Sequence, residues 1–344
     1  MQVIQVRIFL LIIFSHVTLM TLGQNNPLAA EWMVPDQELK DELSNSHVTF
    51  LGGVEIKVND SNRFGGISAI HITENGSELT AISDYSMRRN VPISRRSAFH
   101  RFKISYDPSS GIDSVEFLHT GYVKNRDGSV LLGEIESLAS LGDKWYVSLD
   151  NGRGRADSIW SLDMVSKKLM KLHEHTPIGS FPAEFNREGI EAMTSLDSKW
   201  LLLIHERLPG KKENSDRWAW IISPIEDTSK RIKYQSGLLE VKSACTLPGG
   251  DLIILEKTFT RSTGENRIAL KWVDHESLDS EILTGELLLE VGSKHLDNFE
   301  GISSFEREGE TFIWLVSDNN GDWNLDVNGV PRQKTLALLF KLNK

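Results

Sequence analysis

From about residue 47 to its end the chain alternates short apolar runs with turn-forming clusters, and no segment has the 3.6-residue period of a long amphipathic helix. The runs 80–84, 145–150, 200–206, 252–256 and 312–318 are built from Leu, Ile, Val and aromatic residues, and each ends in an acid. Each follows another apolar segment across a turn such as Asn75-Gly76, Leu141-Gly142-Asp143 or Pro248-Gly249-Gly250-Asp251. Gly and Asn adopt positive φ at little cost, so each pair reads as a β-hairpin.

The hairpins repeat. A pattern of small or acidic residue, Gly, Ile, any residue, Ala or Ser, then an apolar residue occurs as Gly65-Gly66-Ile67-Ser68-Ala69-Ile70, Glu188-Gly189-Ile190-Glu191-Ala192-Met193 and Glu300-Gly301-Ile302-Ser303-Ser304-Phe305. Two weaker copies, Gly133-Glu134-Ile135-Glu136-Ser137-Leu138 and Leu239-Glu240-Val241-Lys242-Ser243-Ala244, fill the gaps. The intervals from Ile67 to Ile135, Ile190, Val241 and Ile302 are 68, 55, 51 and 61 residues. Two more strand-like runs fit in each unit, for example 159–164 with 168–172 and 218–222 with 232–235. Four strands per unit make a propeller blade, so the chain is expected to be an all-β, single-domain β-propeller of five blades. Six is the alternative if the long first or fourth unit hides another blade. The last unit is one strand short while 47–58 stands unassigned, so the N-terminal strand is expected to close the ring and remove its open edges.

Composition narrows the class. The 344 residues are 40% hydrophobic and 25% charged, enough for a full core. A net charge of -10 without a basic run argues against nucleic-acid and anionic-membrane binding, which need a basic surface. Cys245 is the single cysteine and reads as a small buried hydrophobe, which excludes an intrachain disulfide. Residues 8–22 are apolar, follow Arg7 and lead into Gly23-Gln24-Asn25-Asn26, the layout of a secretory signal and short for a spanning helix. Cleavage after Gly23 or after Ala30 stays open, as does an uncleaved anchor. The expected organisation is a signal at 1–23, an N-terminal segment at 24–46 and the propeller at 47–344, periplasmic or secreted and monomeric.

The repeat places the acids. In a propeller the start of each inner strand and the end of the next strand share one face. Glu188 and Glu300 are therefore expected at one mouth with Asp84, Asp150, Glu206, Glu256 and Asp318, and Glu134, Glu136 and Glu191 lie close in sequence. Carboxylates crowded together lose hydration and repel, so positive charge is required. Calcium takes 6 to 8 oxygen ligands and is the expected ion, with Asn319 and Asn320 adding amide oxygens. The loops after the acids carry Arg88 and Arg89, Arg153 and Arg155, Arg207 and Lys211, and Lys257 and Arg261, suited to a phosphate or carboxylate. Ion pairs that merely stiffen long loops are the competing account of the same residues.

Other motifs are weaker. Counted from Asp322, the polar stretch after Asp318 has Val327 at its sixth position and Gln333 at its twelfth, which fails the helix-loop-helix calcium pattern. His205, beside Glu206, reads either as a proton carrier or as a strand-end histidine held by its neighbours. There is no G-x-S-x-G elbow, H-E-x-x-H or phosphate-cradling glycine loop. The nine Trp are expected mainly in blade cores. Asn59-Asp60-Ser61 and Asn75-Gly76-Ser77 fit the glycosylation pattern.

Four segments carry a resemblance: Phe299-Glu300-Gly301-Ile302, Leu315-Val316-Ser317-Asp318-Asn319-Asn320, Arg187-Glu188-Gly189-Ile190, and Ile254-Leu255-Glu256-Lys257 followed by Asn266-Arg267-Ile268. Together they resemble the phytase-like domain family, labelled esterase-like activity of phytase, from about residue 48 to the C-terminus. The first repeat departs, with Gly65 where Glu188 and Glu300 stand. The resemblance implies an exported bacterial propeller that hydrolyses phosphoesters or related anionic esters. In the reading that follows, Asp84, Glu188, Glu206, Glu256, Glu300, Asp318 and Asn319 hold calcium. Glu188, Glu206 and His205 serve the reaction, and Arg88, Arg153, Arg207 and Lys257 bind a small anionic ester. A non-catalytic propeller that grips a ligand or partner protein at the same face is the alternative.

Overall fold

The apolar runs do form strands, and the turn signals between them set the register. The structure, a computed structural model, describes residues 28–31, 37–58, 64–84, 96–108, 111–150, 158–171, 189–206, 216–237, 239–320 and 333–343. At the N-terminus stand β1 (Leu28–Glu31), α1 (Gln37–Glu42) and β2 (Val48–Lys57). Blade 1 is β3 (Ile67–Ile72), β4 (Glu78–Ser83), β5 (Ala98–Asp107) and β6 (Gly111–Tyr122). Blade 2 is β7 (Glu134–Leu141), β8 (Lys144–Asp150), β9 (Ser158–Asp163) and β10 (Lys168–Lys171). Blade 3 begins with β11 (Ile190–Ser195), β12 (Leu201–His205), β13 (Arg217–Ser223) and β14 (Thr228–Gln235). Blade 4 is β15 (Glu240–Thr246), β16 (Leu252–Thr260), β17 (Glu265–Val273) and β19 (Glu286–Ser293). Blade 5 is β20 (Asn298–Arg307), β21 (Glu310–Asp318) and β22 (Leu336–Leu342), completed by β2 and β1.

The inner strands β3, β7, β11, β15 and β20 touch in that order and β20 returns to β3, so five blades close a ring. The long fourth unit hides no sixth blade. Its extra residues form a 3-10 turn at His275–Asp279 and β18 (Ile282–Thr284), which pairs in parallel with β14 as a fifth strand of blade 3. The closing strand is β2, antiparallel to β22, with β1 outside it. The packed unit reaches N-terminal of residue 47, because Leu39 and Leu43 are buried with blades 4 and 5.

Burial follows the blade seams. Five apolar clusters lie one to a seam: Ile82, Phe99 and Val147 between blades 1 and 2, Tyr146 and Leu203 between 2 and 3, Ile204 and Ile254 between 3 and 4, Leu255 and Phe299 between 4 and 5, and Ile70 and Trp314 between 5 and 1. Polar bonds cross the same seams. Ser68 Oγ donates to Ile135 O at 2.5 Å, Ser148 Oγ to Ile190 O at 2.8 Å and Ser304 Oγ to Thr246 O at 2.7 Å. Thr194 and Thr246 share a hydroxyl bond of 3.0 Å, and Ile72 N donates to Ser303 Oγ at 3.0 Å. Cys245 is buried and its thiol is pushed up to about 12 by desolvation, as a core residue rather than a nucleophile. Among the described residues no helix is long and apolar enough to cross a membrane; the apolar stretch 8–22 lies outside them.

The turn before β4 shows how local sequence fixes a seam. Gly76 has φ +70° and donates to Thr73 O at 2.8 Å, while Asn75 Oδ1 accepts from Ser77 N at 3.1 Å. A Cβ on Gly76 would stand 2.5 Å from the ring of Phe305, itself stacked on Phe312. Gly76→Ala therefore meets both an unfavourable dihedral and a buried ring, and is expected to lower stability by about 2 kcal/mol in urea unfolding. An unchanged midpoint would contradict this packing.

Candidate active site

Each inner strand slips register once, and one residue then has no partner opposite. These residues are Ser68, Glu136, Glu191, Lys242 and Glu300. Each is the centre of an apolar-any-small triplet: Ile67-Ser68-Ala69, Ile135-Glu136-Ser137, Ile190-Glu191-Ala192, Val241-Lys242-Ser243 and Phe299-Glu300-Gly301. A β-bulge re-aims the extra side chain, and the same bulge in five blades sets five such side chains around one opening. The apolar residues pair with Ser83, Leu149, His205, Glu256 and Ser317. The residues that follow these partners, Asp84, Asp150, Glu206, Lys257 and Asp318, stand at the level of the bulges.

Two lysines tie part of this ring together. Lys242 of blade 4 bonds to Glu206 Oε1, and its Nζ lies 3.6 Å from Glu191 Oε2 and 4.0 Å from Glu300 Oε1. Its side chain is only 9% exposed, so carboxylates from blades 3 and 5 meet one nearly dehydrated ammonium. Burial lowers the Lys242 pKa, but the three carboxylates outweigh it and hold the group well above the usual lysine value. Lys257 bonds to Asn298 Oδ1 and stands 3.7 Å from Glu300 Oε1. Asn298 Nδ2 donates to Glu300 Oε1 at 2.8 Å and to Asp318 Oδ2 at 3.4 Å.

On blade 2, Glu134, Glu136 and Asp150 offer carboxylate oxygens that all lie within 4.8 Å of one another. Burial pushes the Glu136 carboxyl well above its usual range, and the charges of Asp84, Glu134 and Glu300 add to the rise. Glu191 and Asp318 are raised as well, chiefly by desolvation. Among the described residues the mouth thus gathers eight carboxylates (Asp84, Glu134, Glu136, Asp150, Glu191, Glu206, Glu300 and Asp318) and two ammoniums.

The sequence-predicted residues divide accordingly. Asp84, Glu206, Glu300, Asp318 and Lys257 are at the mouth. Glu256 is a correction. Its neighbour Lys257 takes the mouth position in blade 4, and strand alternation turns Glu256 toward blade 3. There it accepts from Tyr234 Oη at 2.8 Å and pairs with Lys271 at 3.1 Å, a buried link between blades rather than a ligand at the ring. Asn319 also departs from expectation, since its Oδ1 accepts from Gly66 N at 3.0 Å and joins blade 5 to blade 1. Asn320 instead supports the ring, its backbone N–H donating to Asp318 Oδ1 at 2.7 Å. His205 is buried on the face of blade 3 turned toward blade 2, with Leu201 and Leu203. Asp150 stands at the mouth beside Glu134 and Glu136. Glu188, Arg88, Arg153 and Arg207 lie outside the described residues, as do Arg89, Arg155 and Lys211.

Sequence reasoning missed Lys242 as a member of the site. The signal was present, because Lys242 occupies the repeat position of Glu136 and Glu191. It also placed the blade 5 copy three residues late. Glu300 is the counterpart of Glu191, not of Glu188, because Phe299-Glu300-Gly301 rather than Ile302-Ser303-Ser304 carries the bulge.

The family model described as "Phytase-like: Esterase-like activity of phytase" matches residues 62–321, a span that contains all five bulges. No curated protein matches the chain by sequence. In fold the chain is similar to the endo-arabinase of Bacteroides thetaiotaomicron VPI-5482, at 12% identity over 81% of this chain and 94% of that one, with a TM-score of 0.48. It is also similar to CoXyl43, a β-xylosidase/α-arabinofuranosidase from a compost microbial metagenome, at 10% identity over 81% and 93% with a TM-score of 0.45. The α-L-arabinofuranosidase of Lactobacillus brevis matches at 11% identity over 80% and 90%, with a TM-score of 0.43.

Proposed function

The chain belongs to the phytase-like family, and from that premise we propose that the bulge-lined mouth is the active site of an exported, calcium-dependent phosphoester hydrolase. The observation that carries this reading is the convergence of carboxylates and lysines from separate blades at one level of the ring. Calcium–oxygen bonds of ~2.3–2.6 Å let oxygens up to about 5 Å apart share an ion. The oxygens of Glu134, Glu136 and Asp150 meet that limit, and their all-oxygen chemistry suits a hard cation. When bound there, calcium supplies a water of lowered pKa and positive charge toward the phosphoryl oxygens.

The chain's own residues do the rest. Lys257 presents its ammonium at the mouth and orients the anionic ester, in the role also proposed for Arg88, Arg153 and Arg207. Lys242 fixes Glu191, Glu206 and Glu300, so the opposite wall keeps one geometry.

The test is turnover of a phosphomonoester, phosphodiester and carboxylester panel with calcium and with chelator. Phosphoester hydrolysis is expected, lost with chelator and restored by calcium. Glu136→Gln combined with Asp150→Asn is expected to lower kcat/KM by about 100-fold or more. Absence of metal-dependent turnover on every substrate would overturn the hydrolase reading in favour of a binding propeller.

A further inference from the structure

The β16–β17 hairpin rises beyond the mouth, and its pairing runs without interruption from Leu252 opposite Val273 to Thr260 opposite Glu265. Side chains two apart on β16 therefore share a face. Lys257 points toward blade 5, where it meets Asn298 and Glu300. Phe259 lies on that face, about 7 Å further out along the strand at ~3.3 Å per residue. It is 51% exposed, a large apolar ring at the rim of a strongly charged opening.

The hairpin is stiff. Gly264 closes its turn with φ +71° and an N–H bond to Thr260 O at 2.8 Å. Asn266, opposite Phe259, is buried and donates through Nδ2 to Leu296 O at 2.9 Å, which anchors the hairpin to the connection between β19 and β20. An exposed aromatic ring on an anchored strand is a preorganised stacking surface.

From this placement of ammonium and phenyl on one strand face, we infer that Phe259 is a specificity-determining residue that stacks on a planar aromatic alcohol portion of the phosphoester held by Lys257. This rests on the hydrolase reading and names its substrate class as aryl phosphates. A polyol chain offers no flat apolar face to the ring, whereas an aryl group does.

The experiment compares wild type, Phe259→Ala and Phe259→Trp on phenyl phosphate and on glycerol 2-phosphate. Phe259→Ala is expected to raise KM for phenyl phosphate about 5-fold to 10-fold and for glycerol 2-phosphate by no more than about 2-fold, while Phe259→Trp stays near wild type. Equal changes on both substrates, or none on either, would overturn the assignment. If neither substrate is turned over, the hydrolase reading fails separately, and calorimetric titration with phenylphosphonate and methylphosphonate decides the stacking. Selective weakening of phenylphosphonate by Phe259→Ala upholds it; no binding, or equal weakening of both, rejects it.

Discussion

Replacing Lys242 with methionine is expected to destabilise the propeller by about 3–5 kcal/mol at neutral pH, the cost of breaking a buried ion pair from one side. For a chain of this size that is a fall in Tm on the order of 10 °C. The mutation keeps an apolar stem of similar length but removes the ammonium that faces Glu191, Glu206 and Glu300. Three poorly hydrated carboxylates from blades 3 and 5 then face one another across the channel. The Glu191 carboxyl, already raised by desolvation, loses the ammonium that held it down and rises further, and a proton relieves the repulsion. A carboxyl whose folded pKa lies above its unfolded value binds more protons when folded, so stability grows as pH falls into that window and is lost as pH rises through it. The deficit of Lys242→Met relative to wild type should therefore shrink between pH 7 and about pH 5. Thermal unfolding across that range checks both statements, and a deficit that is absent or independent of pH would place Lys242 outside the network.

Removing the closing strand should have a larger effect. β2 supplies antiparallel partners to β22 from Val48 opposite Leu342 to Glu55 opposite Leu336, and carries Val54 and Ile56 into the core between blades 5 and 1. A chain beginning at residue 59 loses these bonds and bares the β22 edge, which invites pairing with other chains. It is expected to lose its cooperative unfolding transition and to aggregate. A chain beginning at residue 47 keeps β2 and loses Leu39 and Leu43, each worth about 1.5–3 kcal/mol when fully buried. It is expected to unfold cooperatively at lower temperature. Circular dichroism melts of the two truncations test the ranking, and equal stability of the two would show that the ring does not depend on β2.

Much of this architecture was readable because the sequence repeats its own bulge. Ile67-Ser68-Ala69 and Ile190-Glu191-Ala192 each carry an apolar residue, a re-aimed residue and a small one, so a local string recurs with each blade. The unpaired run 47–58 pointed to ring closure for the same reason, that a propeller leaves few strands without partners. What failed was parity within a strand. Glu256 and Lys257 differ by one position, and a one-residue step moves a side chain to the other face. Only the register shift between Val241 and Ser243 shows which of the two faces the mouth. In blade 5 two triplets three residues apart, Phe299-Glu300-Gly301 and Ile302-Ser303-Ser304, fit one template, and the pairing with β21 selects the first. Lys242 escaped notice because a search for acids skips the base that makes their crowding tolerable.

That crowding is the centre of the account: charges from separate blades meet at one mouth, where the carboxylate oxygens of Glu134, Glu136 and Asp150 are proposed to hold a calcium ion. Calorimetric titration of calcium into metal-free protein tests it most directly. Binding of one ion per chain is expected in wild type and in Glu256→Gln, whose carboxylate serves the seam with Tyr234 and Lys271, and binding should be lost in the Glu136→Gln, Asp150→Asn double variant. Calcium binding that survives in the double variant but disappears in Glu256→Gln, or no calcium binding by wild type, would contradict the account.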